Sequence, residues 1–241
     1  MRIIAAVFVF VLSLVPLTRA AEPSVEEILS KARQYLGGDE ALDRIQSIAY
    51  EGVFETGEGV SGDMTIVFQK PLQQRVEIIR GELGEVTALN DLDAWRKVYH
   101  RTERDNWSLT ILDVPQIREL QANTLENLYF FRGIHRQFGR IEHRGRTQVD
   151  GRDAVELVFN YGRGILFFRF FDIETGRLLM TRTHQGAELR ETGEQRIEGV
   201  LFPEQITMTR DGELLNTIRF VSIRLNEQFP DSLFEIPSLA P

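Results

Sequence analysis

The chain contains no cysteine. It can form no disulfide and offers no cysteine for lipid attachment, so an exported form must be held together by its core alone. Lysine is nearly missing too, Lys31, Lys70 and Lys97 being the only three, and that bias toward arginine carries no functional reading. No basic stripe interleaved with aromatics and no polybasic segment occurs in a chain of formal charge −8. Counterion-release affinity for nucleic acid and attraction to anionic lipid surfaces are therefore both excluded as organising functions. No Pro-, Gly- or Ser-rich linker divides the sequence, and no βαβ repeat points to a parallel sheet.

Catalytic signatures are equally scarce. Gly57-Glu58-Gly59-Val60-Ser61-Gly62 matches G-x-G-x-x-G, but a dinucleotide site needs a helix to follow, and Asp63 to Gln69 alternate like a strand. A hairpin loop is the expected structure there. Asn90-Asp91-Leu92-Asp93 lacks the glycine and distal glutamate of a calcium loop. His100, His135, His143 and His184 are scattered without metal-ligand spacing. No nucleophile elbow exists. The chain is expected to be no enzyme and to need no cofactor or metal.

What is present begins with a leader. Arg2 precedes an apolar run from Ile3 to Val15, too short to span a bilayer comfortably, and Thr18-Arg19-Ala20 places small residues where a signal peptidase reads. Cleavage after Ala20 is expected, leaving residues 21–241 as one domain. Losing Arg2 and Arg19 makes that product two charges more acidic than the precursor.

After the leader, Ser24 caps a first helix that Gly37-Gly38 stops, with Glu27 three residues past the cap. Asp39 is expected to cap a short second helix, 40–45. From Ser47 the period changes to two. Asp113 opens a second helical stretch to about Gly133, with Pro115 in its first turn and Val114, Ile117, Leu120, Leu125, Leu128 and Phe131 on one stripe. Gln116, Arg118, Glu119, Asn123 and Glu126 make the opposite face. From Thr147 onward, turns such as Asp150-Gly151, Glu198-Gly199 and Asp211-Gly212 punctuate apolar-alternating runs, the pattern of consecutive hairpins. Strands are expected at 140–149, 152–160, 164–172, 177–184, 188–197, 200–210 and 214–225.

A sheet of that size needs its apolar face covered, by a lid or by a ligand. Leu166, Phe168 and Phe170 alternate with Phe167, Arg169 and Phe171, so this strand is apolar on both faces and should be covered on both. Either row is plain core or the wall of a lipid-sized cavity. The same choice applies to Met64, Ile66 and Phe68, to the helix residues Ile117, Leu120, Leu128 and Phe131, and to Trp95 and Trp107, which either rim a pocket or plug the sheet.

Several spaced motifs together resemble a known family. They run from Ala32…Leu36-Gly37-Gly38…Ile45…Ser47…Gly52, through Val149-Asp150-Gly151-Arg152 and Phe171-Asp172…Glu174-Thr175-Gly176, to Glu198-Gly199-Val200…Phe202-Pro203 and the closing Asn226…Phe229-Pro230-Asp231…Phe234…Ile236-Pro237. In this order they are similar to the exported outer-membrane lipoprotein-sorting proteins of the LolA/LolB-like superfamily. The resemblance implies an α+β fold, an unclosed half β-barrel of one strongly curved antiparallel sheet with helices packed on its concave side. It further implies a soluble periplasmic carrier or binding protein for lipoproteins or other acylated or lipidic ligands, the acyl chains lying between sheet and helical lid. Its partners would be those ligands and the envelope membrane proteins that deliver or receive them, with no nucleic acid and a monomeric state. The alternative is a non-carrier envelope interaction or sensing protein of the same fold.

Candidate ligand-binding residues are thus Met64, Ile66, Phe68, Trp95, Trp107, Ile117, Leu120, Leu128, Phe131, Leu166, Phe168 and Phe170. Export is tested directly: N-terminal sequencing of the mature protein should begin at Ala21, and a cytosolic product beginning at Met1 overturns it.

Overall fold

From Ser47 onward almost every strand pairs with its sequence neighbour, as tight turns with positive φ require. Asp150-Gly151 (φ 50° and 78°) and Asp211-Gly212 (φ 52° and 82°) each place two successive residues in the left-handed region, the geometry that matches the twist of a two-residue hairpin. A computed structural model describes residues 22–103 and 105–238. The expected leader, 1–20, lies outside them.

The helices are α1 (Val25–Leu36), α2 (Asp39–Arg44) and α3 (Val114–Tyr129). The strands are β1 (Ser47–Thr56), β2 (Ser61–Gln69), β3 (Gln73–Arg80), β4 (Leu83–Asn90), β5 (Asp93–His100), β6 (Trp107–Ile111), β7 (Arg140–Val149), β8 (Arg152–Asn160), β9 (Leu166–Asp172), β10 (Leu178–Thr183), β11 (Ala187–Thr192), β12 (Gln195–Ile197), β13 (Val200–Phe202), β14 (Gln205–Arg210) and β15 (Glu213–Leu225). Thirteen strands form one antiparallel sheet in the order β6-β5-β4-β3-β2-β1-β15-β14-β11-β10-β9-β8-β7. The pairing of β1 with β15, Ile48 opposite Leu225, joins the two halves of the chain. The architecture is α+β, and β6 and β7 are free edges of an unclosed sheet.

Two expectations need correction. The runs 188–197 and 200–210 are each broken, and their middle pieces, β12 and β13, make a separate two-stranded hairpin. Gly193, at φ 69°, turns the chain out of the main sheet, and Pro203, which has no N–H to give a ladder, lies where it returns. The hairpin then folds over the sheet, so Val200 and Phe202 join Tyr50, Ile223 and Leu225 in the core. Asp39 is also not a cap: Gly38 holds that position, and Asp39 is the first residue of α2.

The helix starts follow the sequence closely. Ser24 and Glu27 form a reciprocal capping box on α1, and Asp113 with Gln116 forms another on α3, with both bonds at 3.0 Å. α3 stops where Phe130 and Phe131 take φ of 44° and 73°. Left-handed backbone costs a bulky residue about 1–2 kcal/mol, and burial of both rings offsets it.

The three helices meet at Arg33. Its guanidinium, 1% exposed, donates to Asp39, to Asp43 at 2.6 Å, and to the carbonyls of Tyr129 and Phe130 at 3.2 and 3.0 Å. One side chain of α1 thus binds the first and last turns of α2 and the C-terminal carbonyls of α3. Arg33→Gln should cost about 3 kcal/mol, since it leaves those carbonyls unpaired, and lower the melting temperature by about 6–12 °C. The Arg33 hydrogen bond holds the Asp39 carboxyl below its ordinary range. Because the folded value is depressed, this contribution is intact above the ordinary carboxylate pKa of about 3.9 and is lost as pH falls through the folded value. Asp39→Asn should therefore flatten the acid limb of a stability profile, and an unaltered limb would show the contact to be idle.

Candidate functional site

The residues that α3 lays against the sheet come from both halves of the chain. Ile117 and Leu120 pack with Leu89, Ala94 and Leu112 at the β4–β5 end. Leu128, fully buried, sits among Ile48, Tyr50, Phe68 and Ile66 of β1 and β2. Phe131, just past the helix, packs with Ile28 and Leu29 of α1 and with Leu157, Phe159 and Phe171 of β8 and β9. The structure therefore brings Ile66, Phe68, Ile117, Leu120, Leu128 and Phe131 to one face, the side covered by helices. Met64 is buried and alternates in register with Ile66 and Phe68.

The other predicted residues do not join them. On β9, Phe167 and Phe171 pack with the α1 cluster, whereas Phe168 and Phe170 pack with Val149, Ala154 and Met180 on the opposite face. Leu166 alternates with that second row, so the row nearest the helices is Phe167-Arg169-Phe171. Trp95 is buried on the opposite face as well, where its indole N–H donates to the Phe234 carbonyl at 2.8 Å. It plugs the sheet beneath the C-terminal segment rather than rimming a pocket. Trp107 stands exposed on edge strand β6, with the Lys97 ammonium 4.9 Å from its ring centre.

The interface of α3 is more polar than its stripe implied. Glu126, assigned by spacing to the solvent face, is buried. Its carboxylate accepts from the Tyr161 hydroxyl and from the Arg169 guanidinium, which lies 4.7 Å from the Phe159 ring and 5.1 Å from Phe131. The Arg169 Nε is buried without a partner. Burial first, then the Glu126 carboxylate, pushes the Tyr161 hydroxyl pKa up, so it stays a donor. At the other end Thr124 donates to Gln74 Oε1 at 2.9 Å, Asn123 donates to the same atom at 3.2 Å, and Gln121 donates to the Asp91 carbonyl at 2.7 Å. Nothing in the local sequence marks Glu126 as buried, because its partners, Tyr161 just past β8 and Arg169 on β9, lie 35 and 43 residues away.

A cleft of about 420 Å³ opens elsewhere, among Arg44, Gln46, Lys70, Asn226 and Phe229, and none of the predicted site residues lines it. Among the described residues no group of three or more His, Asp or Glu is placed to hold a metal ion, and no helix is long and apolar enough to cross a membrane. The contact between α3 and the sheet is packed apolar core interrupted by the hydrogen bonds of Glu126, Thr124, Asn123 and Gln121.

Solved structures share this fold. A LolA superfamily protein from Nitrosomonas europaea superposes with a TM-score of 0.58 at 13% identity, over 89% of this chain and 99% of that one. A DUF1329 family protein from Desulfovibrio piger gives 0.57 at 14% identity, over 88% and 97%. A domain assigned to outer membrane lipoprotein sorting from Vibrio parahaemolyticus gives 0.55 at 12%, over 86% and 95%. No family model and no curated protein sequence matches the chain.

The buried ion pair makes a double-mutant test. Glu126→Leu or Arg169→Met alone should cost about 3–5 kcal/mol in urea unfolding, since each leaves a buried polar partner unpaired, and the double variant should recover most of that loss. Additive single losses would mean that the two groups do not act as a pair.

Proposed function

We propose that this chain is an exported, single-domain binding protein for acylated or lipidic ligands, with α3 as a lid over an apolar site on the helix-covered face of the sheet. The observation that carries the reading is the position of α3 between two distant parts of one sheet. Gln74 on β3 and Arg169 on β9 both bond to α3, yet six strands lie between them in the sheet order. In a flat sheet, seven steps of about 4.8 Å put those strands about 34 Å apart. A helix is only about 10–12 Å across. A sheet that curves around α3, as a half-barrel, reconciles the two.

The second support is the chemistry of the contact. A helix held by Glu126, Thr124, Asn123 and Gln121 can exchange its hydrogen bonds for water when it lifts, and water compensates most of that loss. Ile117, Leu120, Leu128 and Phe131 would each lose roughly 1.5–3 kcal/mol of burial if fully exposed. That total is prohibitive for a domain of ordinary stability, so opening is partial and a ligand chain takes over the apolar contact. Periplasmic location, lipoprotein or lipid as ligand, envelope proteins as exchange partners and a monomeric state all belong to this proposal. The fold shared with a LolA superfamily protein agrees with it.

A second reading, an envelope interaction or sensing protein of the same fold, has one observation in its favour. Trp107, Ile111 and Val114 are exposed at and just beyond the open edge β6. Covalent locking decides between the two. Gln74→Cys with Asn123→Cys, in a chain free of other cysteines, allows a short bis-maleimide to tie α3 to β3. The bridged protein should lose at least tenfold in affinity for the neutral probe N-phenyl-1-naphthylamine, while the unbridged double variant keeps it. Equal binding by both would make α3 ordinary core and favour the interaction reading.

A further inference from the structure

Three phenylalanines that follow α3 take left-handed backbone, and Phe130 and Phe131 bury their rings in return. Phe138 does not. At φ 57° it carries the same strain, yet its side chain is wholly exposed, at 101% of its free area. Glycine would hold that backbone without cost. The base beneath the ring is nevertheless firm. Ile134, four residues earlier, is fully buried with Phe131, Leu157 and Phe159. The Gly139 N–H donates to the Ile134 carbonyl at 3.1 Å, and a Cβ on Gly139 would lie 2.8 Å from the Asn160 carbonyl oxygen. Gln137 donates to Gln121 of α3 at 3.2 Å. The ring therefore stands on a packed support beside the helix.

The surroundings are basic. Charge averaged over the chain argues against attraction to anionic lipid, and that expectation needs correction at this corner. Residues 132–146 hold Arg132, Arg136, Arg140, Arg144 and Arg146 against Glu142 alone. Asp39 takes Arg132 at 3.0 Å, and Glu142 is shared between Arg140 and Arg144 at 2.9 and 3.0 Å. Arg136 has no carboxylate partner among the described residues. Its guanidinium lies 4.2 Å from the centre of the Tyr129 ring, which the Lys70 ammonium approaches at 5.1 Å.

Register adds one more cation. Arg140 stands opposite Asn160, and the turn that follows Asn160 carries Arg163 between two glycines. Arg163 is exposed, sits at φ 51°, and makes no hydrogen bond or ion pair among the described residues. Phe138 and Arg163 are thus two bulky residues in left-handed backbone on adjoining loops, and neither gains packing or a partner from the fold.

We infer that this corner docks the protein on an anionic phospholipid bilayer, with the Phe138 ring in the headgroup–acyl boundary and Arg136, Arg140 and Arg163 at the lipid phosphates. An aromatic tip ringed by unspent cations suits a headgroup layer, which needs no shape complementarity. A protein partner would require roughly 1,200 Å² or more of fitted surface, and one projecting ring does not supply it. Contact through one ring and a few arginines is weak and reversible, as a carrier that must leave again requires. Because Gln137 ties this loop to α3, docking sets the proposed lid beside the bilayer. The inference goes beyond the lipid-binding reading and does not depend on α3 lifting.

The test is co-sedimentation of the chain from Ala21 onward with vesicles of phosphatidylglycerol and phosphatidylethanolamine in equal parts, against vesicles of phosphatidylcholine alone. The anionic vesicles should bind at least tenfold more tightly, and added salt should weaken that binding. Phe138→Ala should cost about tenfold or more, and Arg136→Gln with Arg163→Gln about fivefold for each charge removed. Phe138→Gly should also lose vesicle binding, while its melting temperature stays level or rises as the backbone strain is relieved. N-phenyl-1-naphthylamine binding should be unchanged in all of these variants. Equal binding to both vesicle types, or binding untouched by Phe138→Ala, overturns the membrane contact; loss in the arginine variants alone would assign the corner to an acidic protein instead. Vesicle binding without any probe binding would leave the contact standing and remove the carrier reading.

Discussion

A guanidinium that is almost wholly buried must find acceptors, and Arg33 finds all of them at helix ends. It binds Asp39 and Asp43 of α2 and the last carbonyls of α3. A helix C-terminus leaves up to four carbonyls without partners and carries partial negative charge, so a buried cation there satisfies both needs. The consequence is positional. Because α1 is seated by Ile28, Leu29 and Ala32 on β8 and β9, Arg33 fixes where α3 must end, and thereby where Phe130 and Phe131 enter the core. The left-handed backbone at those two phenylalanines follows from this anchoring, since the chain must turn at once to bury both rings.

The N-terminal part of α3 is held differently from its C-terminal end. Past Leu125 it meets a tight apolar cluster and the Arg33 clamp; before that it relies on Gln74, Asp91 and a few aliphatic contacts. In the lid proposed here, this gradient makes the C-terminal end of α3 the hinge and its N-terminal end the part that swings. Close by, the capping box at Asp113 gives α3 its own N-terminal stability, so the helix need not unwind in order to move. The polar groups of its buried face serve the same end. A purely apolar face would have to be replaced in full on lifting, whereas hydrogen bonds have a ready substitute in water.

Local signals read well wherever chemistry was local. The Ser24–Glu27 cap, the hairpin turns and the change of period at Ser47 each involve residues within a few positions of one another, and the structure has them; the cap expected at Asp39 falls one residue earlier, on Gly38. Seven strands are expected over 140–225 and nine form, because Gly193 and Pro203 carve out β12 and β13; the other segments agree closely in extent. Those two residues were visible, but alternation carried the reading across them, because β12 and β13 keep a strand pattern even though they leave the sheet. Glu126 was misplaced for a different reason. Helical spacing says which residues share a face, not that a charged residue beside the apolar stripe will meet a buried arginine from β9.

The face of β9 shows the limit most clearly. With both rows apolar, Phe167-Arg169-Phe171 and Leu166-Phe168-Phe170 are equivalent by pattern, and pattern alone does not choose between them. In the structure the arginine belongs inside, because Glu126 and the rings of Phe131 and Phe159 supply it with charge and π-faces.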